Sequence, residues 1–133
     1  MELRSPALLM NLQILAAKDG YSNSMSVKLV AAQWRRSISI EAGPASAPVC
    51  ALVFYPVDNE TFEMCSLFAP EASGQMLKLV RIGQLTLRKL VKDTGSSIFC
   101  IVHPGSPGER MAKILGFQAG ENTGKRLRMN YHG

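Results

Sequence analysis

Bulky apolar residues change their spacing in an orderly way along this 133-residue chain, and the longest readable run lies between residues 61 and 117. Over residues 62–68 they alternate with smaller or polar residues, which predicts a strand. Pro70 stops it, because proline cannot donate to a ladder. Gly74 then predicts a turn into a long helix that ends at about Asp93, with Gly95 as its stop. At about 100° per residue, Met76, Leu79, Val80, Gly83, Leu87, Leu90 and Val91 share one face of that helix. Lys78, Arg81, Arg88, Lys89 and Lys92 collect on the opposite face. Residues 97–102 are almost wholly apolar and predict a strand buried on both sides. Ser106, Pro107 and Glu109 follow as a hydroxyl cap, a first-turn proline and a carboxylate able to close a capping box. They predict a short helix with Met111, Ile114 and Leu115 as its buried stripe and Gly116 as its end.

The segments on either side are shorter. Residues 1–4 suit an edge strand. Ser5-Pro6 reads as a helix start, followed by Leu8, Leu9, Leu12, Ile14, Leu15 and Ala16 at helical spacing and stopped by Asp19-Gly20. A polar loop over 21–26 leads to a second helix over 27–36, with Val27, Val30, Ala31 and Trp34 inward and Trp34 as a core anchor. Residues 37–41 alternate serine with isoleucine as a strand, 43–48 form a loop, and 49–55 form an apolar strand. Asp58-Asn59 turns that strand into the next, so 49–68 reads as a β-hairpin. After the short helix, 118–125 reads as a polar loop. A final half-exposed strand over 126–131 sets Leu127, Met129 and Tyr131 against Arg126, Arg128 and Asn130. The order is (β)ααβββαβαβ, an α+β single domain over residues 1–133 with a mixed, mostly antiparallel sheet.

Composition narrows the classes. A chain that is 47% hydrophobic and 19% charged is globular rather than disordered. No apolar run reaches the roughly 18 to 20 residues that span a bilayer. Residues 7–17 lack the basic flank and cleavage site of a secretory leader. Cys50, Cys65 and Cys100 all fall in predicted strands and read as buried thiols of a reducing compartment, without metal-ligand spacing. The net charge of +5 permits an acidic partner without demanding one. The basic helix face therefore has two readings, a solvated surface or a contact surface for something acidic. Leu77, Ile82 and Leu85 fall on or near it, as in a face that is covered in an assembly.

The element order, with the ending Glu109-Arg-Met-Ala-Lys-Ile-Leu-Gly-Phe117 and the Leu67-Phe-Ala-Pro70 strand end, resembles the GNAT superfamily of acyl-CoA-dependent N-acyltransferases. The resemblance implies a cofactor loop after Pro70, reading Gln/Arg-x-x-Gly-x-Gly/Ala, whose glycines let backbone N–H groups approach the coenzyme A pyrophosphate. Here Ser73, Met76 and Lys78 occupy the three defining positions, and only Gly74 matches what is usual. If a cofactor is held, the resemblance places it at Ser73, Gly74, Gln75 and Lys78, with the Met76 side chain a steric objection. It also implies a tyrosine acid for the departing thiolate at the position of Ala112, which Tyr131 or Tyr55 would have to replace. For a general base it offers Glu63, whose plainer reading is a solvent-facing strand residue. His103, beside a Pro-Gly turn, is a further proton carrier by chemistry and a structural residue by context.

An intact core with a degenerate cofactor loop is similar to the acetyltransferase-like proteins of short-tailed bacteriophages, some of them internal virion proteins. That likeness implies a non-catalytic protein of the virion, made in the bacterial cytoplasm, with no cofactor and no metal. Its partners would be other assembly proteins or further copies of itself, met through Lys78, Arg81, Arg88, Lys89 and Lys92 or through Arg126 and Arg128. The alternative is an active N-acetyltransferase that uses acetyl-CoA. A third reading, nucleic-acid binding by the same cations, lacks the interleaved aromatics that stack bases.

Overall fold

The computed structural model describes residues 2–18 and 34–132. They fall into two compact units, one of residues 2–18, 34–55 and 65–79, the other of residues 56–64 and 80–132. Among the described residues the strands form a seven-stranded sheet of order β1-β2-β3-β4-β5-β7-β6. Strand β4 (Thr61–Phe68) and helix α2 (Met76–Thr94) each run through both units.

The first unit is built on β1 (Leu3–Arg4), helix α1 (Leu9–Lys18), β2 (Ile38–Ala42) and β3 (Cys50–Pro56). Strand β2 pairs antiparallel with β1 and, over five residues, with β3. Gly43 turns the chain after β2 with φ +116°, and a Cβ there would meet the Val49 nitrogen at 2.9 Å, so the turn requires glycine. Leu12, Leu15 and Ala16 of α1 pack with Ala51, Val53 and Leu67 into one cluster, joined by Trp34. Trp34 anchors as expected, its indole N–H donating to the Ala7 carbonyl at 2.8 Å.

Helix α1 begins later than Ser5-Pro6 predicts. The Ser5-Pro6 peptide is cis, and the Ser5 hydroxyl donates to the Ser39 carbonyl. The entering amides are met by β2 instead: Ala7 N–H by Ser39 Oγ at 2.9 Å and Leu8 N–H by Glu41 Oε1 at 2.8 Å. Leu8 consequently stands outside the apolar stripe and is exposed. Glu41 is fully buried, and its other oxygen accepts from Arg4 Nη2 at 3.1 Å and Asn11 Nδ2 at 2.7 Å. Burial opposes its ionisation. The hydrogen bonds from Arg4, Leu8 and Asn11, with the Arg4 charge, outweigh burial and hold the carboxyl below its ordinary pKa. Of the predicted 27–36 helix, only a 3-10 turn at Trp34–Arg36 lies within the described residues; the 19-20 stop and the 21–26 loop lie outside them.

The second unit carries the parallel step. Thr61, Phe62 and Glu63 of β4 pair with Ser97, Ile98 and Phe99 of β5 (Ser97–Val102). Strand β5 has the predicted limits, but only Ile98, Phe99 and Cys100 are buried, while Ile101 is exposed. Helix α2 buries Leu79, Gly83, Leu87 and Leu90 and ends at Gly95, which has φ +67°. Helix α3 (Pro107–Leu115) is capped by Ser106, whose hydroxyl accepts from Glu109 N–H, and stops at Gly116 with φ +111°. The Glu109 carboxylate reaches back one residue further than a standard box, to Gly105 N–H at 2.9 Å, because Ser106 N–H is already bonded to the His103 carbonyl. Ala112 and Leu115 form the buried side of α3. Ile114 does not, since a nine-residue helix packing on those two residues turns it outward.

The predicted 118–125 loop is largely strand. Strand β6 (Phe117–Asn122) starts at the helix stop and pairs antiparallel with β7 (Leu127–Tyr131), with a register shift between Ala119 and Asn122. All of its residues after Phe117 are exposed, so it is an edge strand without an apolar alternation. Strand β7 lies between β6 and β5.

Candidate functional site

The turn into α2 determines what the chain presents where the resemblance places a cofactor. Ala69 is extended, Pro70 occupies the first turn, and Pro70–Gln75 form a 3-10 helix that continues directly into α2. Gly74 therefore does not start the α-helix; a tighter turn comes first. Ala72 is buried against Ala42, Val49, Cys50 and Leu79, and the Met76 side chain packs on the same cluster. Met76 thus points into the core, and the steric objection to it falls away. A different one replaces it. A 3-10 turn bonds each amide to the carbonyl three residues back, so amides that a glycine loop would leave free for an anion are used within the turn. Ser73, Gly74 and Lys78 are exposed and Gln75 is half-buried. A Cβ at Gly74 would meet nothing within 4 Å. The turn offers an open glycine and an ammonium group, and it does not form the amide cradle.

The tyrosine position is closed. Ala112 is 3% exposed in the core. Tyr131 packs its ring against Phe117, centroids 5.5 Å apart. Glu63 is level with Phe99, and Phe99 with Asn130, so these three share one face of the sheet. Tyr131, next to Asn130 along β7, faces the other way and does not serve Glu63. Tyr55 packs on the α1 cluster of the first unit.

Glu63 sits half-buried in β4 and forms no hydrogen bond or ion pair among the described residues. Burial pushes its carboxyl above the ordinary value, while the charges of Arg128 and Arg126 pull the other way. Arg128 does not close on it. Its guanidinium carbon lies 3.8 Å from the centre of the Phe99 ring, and its Nε donates to Asn130 Oδ1 at 3.3 Å. Phe99 and Asn130 are the participants the sequence did not single out, because their role depends on register between β5 and β7. His103 is structural here: its Nδ1 lies 3.1 Å from the Lys125 carbonyl, and its own carbonyl accepts from the Ser106 hydroxyl.

The basic face of α2 is exposed at Lys78, Arg81, Arg88, Lys89 and Lys92. Lys89 pairs with Asp93 at 3.1 Å. Arg81 and Arg88 make no ion pair or hydrogen bond among the described residues. Leu77 is almost fully exposed, and Leu85 is 57% exposed. Gln84 Nε2 donates to the Ile114 carbonyl at 3.1 Å, which brings this part of α2 beside the end of α3. There Ile114 is 56% exposed, one turn from the exposed and equally unpaired Arg110. Arg110 and Ile114 add to the surface that the α2 pattern predicted. Among the described residues no group of His, Cys, Asp or Glu could hold a metal, and no helix is long and apolar enough to cross a membrane.

These elements define an acetyltransferase-like fold of the GNAT type. Three solved structures illustrate it. Spermidine N-acetyltransferase SpeG from Vibrio cholerae, as an F149A mutant, matches with a TM-score of 0.72 at 13% identity, over 98% of this chain and 94% of that one. The PaiA N-acetyltransferase from Thermoplasma acidophilum, solved in complex with coenzyme A, gives 0.69 at 16% identity over the whole of both chains. IAA acetyltransferase from Bacillus cereus gives 0.61 at 15% identity, over 98% and 99%. At such identities the likeness establishes the fold. No protein-family model and no curated protein matches the sequence.

Proposed function

We propose that this protein uses the GNAT fold as a binding scaffold, without acyl transfer, and that it serves in the assembly of a larger protein particle, a bacteriophage virion by the sequence resemblance. The observation that carries this reading is the surface of α2 and α3, where unpaired Arg81, Arg88 and Arg110 surround solvent-exposed Leu85 and Ile114. Exposed aliphatic side chains among arginines suit a protein partner that offers carboxylates and an apolar contact. The chemistry side supports it by subtraction: the turn before α2 uses its amides internally, and the tyrosine position holds a buried alanine. The third reading gains nothing here, since α2 carries no aromatic residue to stack a base and Lys89 is paired with Asp93.

The test is a mass measurement in solution, alone and with candidate assembly proteins, joined to calorimetry with acetyl-CoA. The scaffold reading expects an oligomer or complex that Arg81→Glu with Arg88→Glu dissociates, and no heat with millimolar cofactor. Micromolar binding of acetyl-CoA by a monomer would overturn it.

The second reading is an acetyl-CoA-dependent N-acetyltransferase, and Glu63 is what favours it. A half-buried carboxyl with a raised pKa suits a general base for an amine. Acetyl-CoA would supply the acetyl group, held by Ser73, Gly74, Gln75 and Lys78. Acetylation of an amine, abolished by Glu63→Gln, is the outcome this reading requires.

A further inference from the structure

The geometry points to a small-molecule site on the β4–β5–β7 face of the second unit, where Glu63 takes an ammonium group and Arg128, with Arg126, takes a carboxylate of the same ligand, an amino acid or short peptide. It does not depend on acyl transfer or on the arginine surface of the helices, and it stands on binding alone.

A carboxylate and a guanidinium that flank one aromatic ring would ordinarily close into an ion pair. Here each flanks Phe99 and they remain apart. Glu63 is the ladder neighbour of Phe99, and the guanidinium carbon of Arg128 lies over its ring, 3.8 Å from the centre. Asn130, itself opposite Phe99, fixes the guanidinium through Nε. That leaves both Nη groups of Arg128 for a ligand, and these are the groups that grip a carboxylate in a fork. Arg126 lies two residues back, just before β7, and its charge also reaches Glu63. The half-buried Glu63 carboxyl has no cation in contact, so an ammonium there would meet an acceptor already drawn partly out of water.

The ground beside the guanidinium is apolar. Ile101 faces the same way as Phe99, is level with Arg128, and is 40% exposed. Strands β4 and β7 are two strand spacings apart, about 10 Å between Cα atoms. The Arg128 side chain reaches back over Phe99, the ladder neighbour of Glu63, which leaves about one strand spacing for the two ends of a short zwitterion. Gly120 helps to set the Asn130 clamp: a Cβ there would lie 2.9 Å from Asn130 Nδ2 and 3.2 Å from the Arg128 carbonyl.

The experiment is amide-resonance NMR of the whole protein titrated with glycine, glycylglycine and triglycine, each also as its N-acetyl and its C-terminal amide form. One uncapped ligand is expected to shift the Phe99, Ile101 and Arg128 resonances saturably. Capping either end should weaken it by about tenfold or more, the equivalent of 1.4 kcal/mol. Glu63→Gln should abolish the preference over the N-acetyl form, and Arg128→Lys the preference over the amide, while the spectra confirm that each variant is folded. Absence of a saturable shift into the millimolar range would overturn the assignment. So would equal binding of capped and uncapped forms, or a response to N-acetyl peptides alone.

Discussion

Glu41→Gln is the sharpest probe of the fold. The Glu41 side chain is fully buried and receives three donors, Leu8 N–H on one oxygen and Arg4 Nη2 and Asn11 Nδ2 on the other. A glutamine keeps the volume but has one acceptor oxygen, so its NH2 group must face at least one of those donors. Hydrogen bonds to a charged group contribute about 1.5–3 kcal/mol each, and a buried charge stripped of its partner costs about 3–5 kcal/mol. The Arg4 side chain keeps 22% of its surface in water, along with contacts to Glu2 and the Pro44 carbonyl, which lowers the cost. We expect a loss of about 3 kcal/mol, taking the lower end of that range. For a chain of 133 residues the unfolding entropy is about 0.3 kcal/mol per degree, so Tm should fall by about 10 °C. Urea unfolding followed by circular dichroism reads it. The pH dependence gives an independent check. Folding lowers the Glu41 pKa, so its stabilisation is present above the ordinary value of 4.5 and is lost as pH falls through the folded value. The gap between wild type and variant should therefore narrow on acidification. A loss under about 1 kcal/mol at neutral pH, the worth of an ordinary hydrogen bond, or a gap independent of pH, would refute the reasoning.

Glu63 should behave in the opposite sense. Its folded pKa is raised, so its contribution is fully present below the unfolded value and is lost as pH rises through the folded one. Glu63→Gln should melt above wild type at neutral pH and with it in acid, as read by Tm against pH. The Cys100 thiol is pushed up to about 12, by burial first and by the Glu63 charge second, so it should resist a thiolate-directed reagent at pH 8 and react on unfolding. Mass spectrometry of peptides labelled before and after urea distinguishes the two. Ser106→Ala removes the side-chain acceptor for Glu109 N–H and the 2.6 Å bond to the His103 carbonyl, and should cost about 1 kcal/mol in urea unfolding.

Local chemistry was legible wherever a residue acts on its own neighbours. Ser106, Pro107 and Gly116 delimit α3, and the apolar run over Ser97–Val102 announces β5, because caps and burial leave marks within a few residues. Gln118 to Asn122 left none. They form a strand because β7 supplies hydrogen-bond partners, and both faces at that edge meet water. Leu8 and Ile114 fit helical rhythm and are still exposed, Leu8 because α1 begins after it and Ile114 because a short helix buries only the side that neighbouring elements reach. Glu63 could be singled out only through the resemblance, which offers a glutamate on this strand. The clamp of Phe99 and Asn130 on Arg128 could not, because it joins β5 to β7 through a register that no residue near Arg128 encodes. Cys65, expected to be buried with the other thiols, is only partly so.

The placement of β7 bears on how the chain is made. Strand β6 leaves the ribosome before β7 but belongs outside it, so β5 waits with one side open until β7 has been synthesised. During that interval the Ile98-Phe99-Cys100-Ile101 stretch presents unpaired amides and apolar side chains, a template for any extended segment nearby. The tight Asn122–Arg126 connection, with the Gly124 N–H bonded to Asn122 Oδ1 and Thr123 N–H to the Arg126 carbonyl, shortens the exposure. It lets β6 and β7 pair locally, on the microsecond scale of an isolated hairpin, and close the gap as a finished unit.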